Sequence, residues 1–455
     1  MILLKEVKCI VFGMLILVVV NKLYAFQPKE NHSALSVGIA EQNITPSTHV
    51  KNWVTGKPYG SVLDSIFVRV IVLDDGNKNA AIVTWDLVDV SESAKDEVRK
   101  AISTKTKIPV NNILINASHN HSAPWSPVYK AGYRGKELDT WWAIRYMPAQ
   151  NEDPYFKKWM QLLIDQSVIA AQKAIENSQP ACVWIGRADV SEFLSNRRPI
   201  SDTLGIEKDN TPSGYNFSHE DWNPNITVGG ASFGPKDPTM TFLSFRNSKN
   251  ENIASVFHLS AHAVAIYPYH EGISGDWPSE TIKKMNEAFN TQVLFVQGAA
   301  GDINPWKRDR DAVIEMSEGL TEYAKQAYKY SAKLKNSELT VSHSFVSLPL
   351  DKKGKQRTGL DSIEAEIQLI TYGSLAVIAL PGEPLTDLGI EIRKNSPFPQ
   401  TIVLGYSNGN GVHYVGMPGE KARGGYEMES GTIGDDKAGD VLVKSAIELL
   451  KNVTK

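Results

Sequence analysis

The chain of 455 residues carries a formal net charge of −3 and 42% hydrophobic residues, an ordinary soluble balance with ample material for a large core. No basic run of the kind that tracks phosphates is present, so the composition excludes an electrostatic nucleic-acid binder and no nucleic-acid partner is expected. The length permits two or three average domains, but large α/β enzymes reach it as one unit.

Residues 1–25 read as a secretory signal peptide: Lys5 and Lys8 give a positive start, residues 9–20 form a short apolar run, and Ala25 suits a cleavage position. The run is short for a membrane span, so a secreted or periplasmic protein is expected, with an uncleaved N-terminal anchor as the alternative. Cys9 lies inside the run rather than just after it, which argues against a lipid-modified cysteine. Cleavage after Ala25 leaves Cys182 without an intrachain disulfide partner.

Strands are predicted over residues 66–73, 80–84, 113–116, 253–257, 293–296 and 375–380, which are short, apolar and often β-branched. Helices are predicted over 155–177, 278–289, 312–329 and 385–394, where apolar residues recur at three- and four-residue intervals. Strands interleaved with helices indicate an α/β fold with a mixed β-sheet core and flanking helices. Two long excursions interrupt the pattern. Residues 124–154 hold Trp125, Tyr129, Tyr133, Trp141, Trp142 and Tyr146, and residues 199–238 hold Tyr215, Phe217, Trp222 and Phe233. They read either as binding walls and lids or as surface loops with packed aromatics.

Several apolar strands run straight into reactive side chains. Residues 113–116 lead to His119 and His121, residues 253–257 to His258 and His262, residues 293–296 to the Gly298–Gly301 turn and Asp302, and residues 375–380 to Glu383. Ligands of α/β folds collect beyond the carboxyl ends of strands, so these ends converge on one site if the strands share a sheet. His119 and His121, two apart, face the same side of an extended chain, either as a metal-ligand pair or as hydrogen-bonded structural histidines. His258 and His262, each flanked by apolar residues, read by default as buried. Glu383, after a Pro-Gly turn, suits the first position of a helix, and Asp276 reads as an N-cap. The 298–301 turn lacks the Gly-Lys-Ser/Thr ending of a phosphate loop. Spacing alone leads only as far as a candidate metal site.

Seven motifs then occur in the order they take in a known family: Ala117-Ser118-His119-Asn120-His121-Ser122-Ala123-Pro124, Asn196-Arg197, Ala261-His262, Ser274-Gly275-Asp276, Gly301-Asp302-Ile303-Asn304-Pro305, Pro381-Gly382-Glu383, and the tyrosine pair Tyr414 and Tyr426. From Val37 to about Glu427 the chain resembles the N-terminal catalytic domain of neutral, non-lysosomal ceramidases, in particular the shorter bacterial proteins that share it. The resemblance implies one large ceramidase-like catalytic domain over residues 34–455, without the C-terminal β-sandwich of the full-sized members. It implies zinc held by His119, His262, Glu383 and Tyr414, with His121, Arg197 and Tyr426 facing the reacting carbonyl, and gives His258 no role. At the position of the family's catalytic serine stands Asn304, which cannot form an acyl-enzyme but can donate a hydrogen bond to a developing oxyanion.

The function this implies is exported, zinc-dependent hydrolysis of an amide (N-acyl) bond by metal-activated water. Ceramide-like lipids are one substrate class, and contact with a membrane surface goes with them. A carbohydrate or ester substrate is the alternative within the enzyme class, and a non-catalytic binding protein on the same fold the alternative outside it. A lipid substrate predicts a deep apolar slot, a glycan an open cleft with exposed Trp and Tyr faces.

Overall fold

The computed structural model describes residues 35–130, 152–201, 231–267 and 270–454. The signal-like residues 1–25 lie outside the described residues, as do Tyr133, Trp141, Trp142 and Tyr146 of the first excursion and Tyr215, Phe217 and Trp222 of the second.

The larger sheet runs in the order Val293–Gln297, Asn252–Leu259, Thr239–Arg246, Gln179–Asp189, Leu35–Asn43, Phe67–Asp74, Asn79–Trp85, Ile113–Ala117, and the short Ala332–Lys333 pairs with Gln179–Asp189 off this path. Neighbours are antiparallel except at the two ends, where Asn252–Leu259 pairs parallel with Val293–Gln297 and Asn79–Trp85 parallel with Ile113–Ala117. This is the mixed sheet expected from the sequence. Alternate residues serve different layers. Val68, Val70 and Val72 join the core beneath the helices Glu92–Thr106 and Pro154–Glu176, while Ile71 and Leu73 face the other way. A strand buried on both faces reads as a continuous apolar run, which is why this one was visible in the sequence.

A second sheet, in the order Leu339–Pro349, Ser362–Tyr372, Leu375–Ala379, Gln400–Leu404, packs Ile370, Val377 and Ile402 against that inner face. Its outer residues Ile367, Leu369, Ile378 and Val403 lie in one core with Leu388 and Ile392 of the helix Thr386–Lys394 and Leu442 and Ala446 of the helix Ala438–Asn452. The helices Asp276–Phe289 and Arg310–Lys329 cover the remaining outer part of the first sheet. The layers therefore run helix, sheet, sheet, helix, and each fully buried Leu, Ile or Val in them contributes roughly 1.5–3 kcal/mol on leaving water. Among the described residues no helix is long and apolar enough to cross a membrane.

The two edge strands of the large sheet meet. Gln297 N donates to Asn116 Oδ1 at 2.9 Å, and Asn116 Nδ2 donates to Gln297 O at 3.3 Å and to Gly405 O at 2.8 Å. The sheet curls until Ile113–Ala117 and Val293–Gln297 are stitched together at their carboxyl ends, which removes two exposed edges. The segment after Gln400–Leu404 closes the seam through bridges of Leu404 to Gly298 and Ser407 to Asn116. Three of the four reactive strand ends thus belong to one sheet. The fourth, Leu375–Ala379, belongs to the second sheet and reaches the same place because the sheets are stacked.

Some local readings need correction. The strand predicted to stop at residue 257 continues to Leu259 and takes His258 into it. Asp276 is not the N-cap of its helix; Gly275 precedes the helix, and the Asp276 carboxylate accepts from Ala265 N at 3.0 Å and Ile266 N at 2.9 Å. Glu383 does not open a helix: it forms the two-residue strand Glu383–Pro384, and the helix starts at Thr386.

Candidate metal centre

After the strand Ile113–Ala117 the chain turns sharply, and His119 adopts a φ of 59°. His119 and His121 are therefore not presented by an extended chain, as their spacing suggested. The turn itself brings their Nε2 atoms within 3.1 Å of each other. It is held by Asn120 N donating to Leu87 O at 3.0 Å and His121 N donating to Ala263 O at 3.3 Å.

Carbonyl oxygens fix the tautomers. His119 Nδ1 lies 2.6 Å from Val88 O, and a carbonyl can only accept, so Nδ1 carries the hydrogen and Nε2 keeps a lone pair. His262 Nδ1 is held likewise, 2.7 Å from Ala300 O and 3.1 Å from Ile303 O. Glu383 Oε2 lies 3.1 Å from His119 Nε2 and 3.6 Å from His262 Nε2. Neither nitrogen has a hydrogen to offer, and both Glu383 Oε2 and His262 Nε2 are buried without a hydrogen-bond partner. Electron-rich atoms facing one another in this way form a set that could hold a cation. Ligand atoms about 2 Å from a zinc ion at tetrahedral angles lie roughly 3.3 Å apart, which matches this spacing. The ring nitrogens of His119, His121 and His262 all lie within 4.8 Å of one another, so His121 has the placement of a third nitrogen donor as well as of a neighbouring base.

The electrostatics suit a cation. Burial first, then Arg197 and His119, pushes His262 down to about 3, and burial first, then His119 and His262, holds His121 well below the usual imidazole range. Both rings are neutral at working pH and can offer lone pairs.

Tyr414 pairs with Glu383 in a short parallel ladder, Glu383–Pro384 on Tyr414–Val415. Its hydroxyl accepts from Arg197 Nη2 at 3.0 Å, and burial followed by the Glu383 charge raises it well above an ordinary phenol. Arg197 follows the strand Leu194–Asn196, which pairs with Ile303–Pro305 and sets Asn304 opposite Ser195. Its guanidinium donates to Gly301 O at 2.8 Å, Asn304 Oδ1 at 3.2 Å and Glu427 Oε1 at 2.7 Å. Buried Asp302 ties these segments together, accepting from Thr386 N at 2.8 Å and Asn196 Nδ2 at 2.7 Å.

Tyr426 stands at the exposed side, its ring edge-on to Tyr414 at 5.9 Å and its surface 39% exposed. Trp53 and Tyr267 flank His121 at ring distances of 5.3 and 5.4 Å. The structure thus gathers His119, His121, His262 and Glu383, with the Arg197, Asn304, Tyr414 and Tyr426 group beside them. His258 is buried within its strand, with Nε2 donating to Val403 O at 3.1 Å. Trp125 is buried against Val88 and Trp53. Sequence reasoning missed the Val88 carbonyl, Trp53, Tyr267 and Tyr406, and did not single out a role for Glu427. Glu427 follows Tyr426 in the last motif, which was a signal; the others have none in their spacing.

No protein-family model matches the chain. Its fold is similar to that of neutral ceramidase from Pseudomonas aeruginosa, with a TM-score of 0.72 at 15% identity, over 92% of this chain and 74% of that one. It is also similar to a ceramidase complexed with C2, with a TM-score of 0.71 at 14% identity, over 93% of this chain and 75% of that one. At these identities the likeness establishes the fold: the chain has the neutral-ceramidase fold that its motifs implied.

Proposed function

We propose that the chain is a zinc-dependent hydrolase that cleaves an amide (N-acyl) bond. The observation that carries this reading is the convergence of His119 Nε2, His262 Nε2 and Glu383 Oε2, with the two Nδ1 atoms committed to carbonyls and no hydrogen available between the three. In this reading His119, His262 and Glu383 hold the ion, with Tyr414 completing the set as in the family the motifs resemble. Zinc bound there supplies water acidified from a pKa of 15.7 to about 7 and polarises the carbonyl.

The chain's own residues do the rest. Neutral His121 takes the proton of the attacking water as the C–O bond forms and the carbonyl oxygen becomes anionic, then delivers it to the departing nitrogen as the C–N bond breaks and the carbonyl re-forms. Arg197 is oriented by Glu427, Gly301 and Asn304 and brings positive charge toward the carbonyl oxygen as it becomes anionic. Tyr426, at the exposed mouth, is placed to contact the substrate near the same oxygen.

For the substrate, one fold neighbour is a ceramidase complexed with C2, which supports an N-acyl lipid, and contact with a membrane surface would go with such a substrate. Of the excursion aromatics that a glycan cleft would expose, Trp125 is buried. The export signal in residues 1–25 belongs to the same proposal, supported by the apolar run 9–20. The test is turnover of short-chain N-acylsphingosines by purified protein, before and after chelation and after restoring zinc. Full activity in metal-free protein overturns the metal reading. Zinc-loaded protein inert on N-acyl and glycan substrates alike points to a binding protein.

A further inference from the structure

Tyr406 is a buried polar side chain at the centre that the reading above does not use. It lies in no motif, and three features mark it. Its backbone clamps two ligand-bearing segments: Ala117 N donates to Tyr406 O at 3.0 Å, just before His119, and Tyr406 N donates to Gly382 O at 2.8 Å, just before Glu383. It does so at a φ of 46°, a conformation that a large side chain holds only when its surroundings dictate it, and such positions concentrate at functional sites. Its ring stacks on His119, with centroids 4.2 Å apart and planes inclined by 28°, and stands edge-on to His262 at 6.1 Å.

The third feature is the hydroxyl. Tyr406 is 3% exposed, and its Oη is buried without a hydrogen-bond partner. A buried phenol left unpaired costs about 1–3 kcal/mol, so a group of this kind beside a ligand-binding centre is expected to be satisfied by what binds there. The ring that carries this hydroxyl lies against both candidate ligand imidazoles, stacked on His119 and edge-on to His262. A phenol is protonated at neutral pH and can donate one hydrogen bond. A carbonyl oxygen entering the centre arrives with free lone pairs that such a donor can meet.

We propose that Tyr406 is a further catalytic residue, whose hydroxyl donates a hydrogen bond to the substrate's carbonyl oxygen as that oxygen becomes anionic, while its ring fixes the plane of His119. The proposal rests on the hydrolase reading, and it adds to Arg197 a neutral, buried donor.

The test uses zinc-loaded full-length protein and methylphosphonate, a small tetrahedral anion, so that it needs no turnover. Tyr406→Phe keeps the stack and removes the hydroxyl. Methylphosphonate should bind at least about tenfold more weakly to this variant by calorimetry, with zinc affinity in a chelator competition unchanged. Where N-acyl substrates turn over, kcat should fall about 10²–10³-fold with KM nearly constant. Tyr406→Leu, which also loses the stack, should weaken zinc binding in addition. Equal methylphosphonate affinity in wild type and Tyr406→Phe overturns the hydroxyl's role, and equal zinc affinity in wild type and Tyr406→Leu overturns the ring's. Failure of the hydrolase reading shows separately, as wild-type protein that cleaves no N-acyl substrate.

Discussion

Glu427 receives Arg197 on one carboxylate oxygen, at 2.7 Å, and Arg198 on the other, at 2.8 Å. Burial pushes this carboxyl up, but the two guanidiniums override burial and leave it below its ordinary value, so it is ionised wherever the protein is folded at neutral pH. The pair does different things with its two arginines. Arg198 is further anchored to Glu420 at 3.0 Å, which ties the loop segments together, while Arg197 is aimed at Tyr414 and Asn304.

Arg197→Lys should therefore keep the charge and lose the aim. A lysine cannot span Glu427, Asn304, Gly301 and Tyr414 with one nitrogen, because the guanidinium fork does this with three. The expected result is a fall in kcat of about 10²–10³-fold with zinc content unchanged. A variant with wild-type kcat would remove Arg197 from the reaction.

The centre itself predicts a graded response to ligand removal. His119→Ala and His262→Ala each delete a nitrogen from a buried set whose tautomer is fixed by a carbonyl, so purified protein should lose both zinc and turnover. The carbonyl of Val88 cannot be mutated directly. Its effect should appear instead as zinc affinity reduced by about 10–100-fold when the 88–89 backbone is displaced, for instance by Val88→Pro. Metal analysis with a chelator series reads both, and full zinc occupancy in His119→Ala would show that the ion, if any, sits elsewhere.

Much of the fold was legible because strands such as Phe67–Asp74 and Val293–Gln297 are apolar on both faces and stand out as runs. What was not legible has a physical cause. Leu339–Pro349 lies at the edge of its sheet with one face half-exposed, so its polar alternation reads like a loop, and Gln179–Asp189 is diluted by exposed ends. The helix Glu92–Thr106 hides its function in charge: buried Lys95 and Arg99 pair with Glu366 at 2.9 Å each, an arrangement no apolar period announces. The centre was readable only through the order of its motifs. His119, His262, Glu383 and Tyr414 are far apart in sequence and meet because the edge strands of one sheet are stitched together at Asn116 and Gln297.

Asn304 decides the kinetic course. Its side chain has no hydroxyl or thiol to carry an acyl group, and its Oδ1 is turned to Arg197. Hydrolysis should proceed without a covalent acyl intermediate, so pre-steady-state traces should show no burst and added amines should not be acylated. A burst with stoichiometric amplitude would mean that another nucleophile has taken the position.

Close packing of helix on sheet should be equally testable. A Cβ added at Gly38 would overlap the carbonyl oxygen of Ala174 near the end of the helix Pro154–Glu176, and would also crowd the Ser178 backbone. Backbone atoms cannot swing aside as a side chain does, so Gly38→Ala should destabilise the fold by about 1–3 kcal/mol or more. Denaturant midpoints measure this, and a neutral substitution would mean that the helix end can slide.

Asp387 gives a pH-dependent signature outside the centre. Burial first, then the charges of Asp302 and Glu420, pushes its carboxyl up to about 6, and its Oδ1 is buried without a hydrogen-bond partner. The unfolded value is about 3.9, so the folded state holds this proton more tightly than the unfolded chain does. Below the unfolded value the group is neutral in both states and imposes no penalty. As pH rises from about 4 to 6, the unfolded chain ionises more readily than the folded protein, and stability is lost until the folded group ionises too; above that the penalty stays constant. Asp387→Asn mimics the protonated form and should raise the thermal midpoint at pH 7 to 8, with the gain shrinking toward zero as pH falls to 4. A gain that is constant across this range would show that folding leaves the carboxyl unshifted, and one that grows as the solution is acidified would show that the carboxylate is stabilised where it sits, by the N-terminal turn of the helix Thr386–Lys394, more than it is penalised by its buried acidic neighbours.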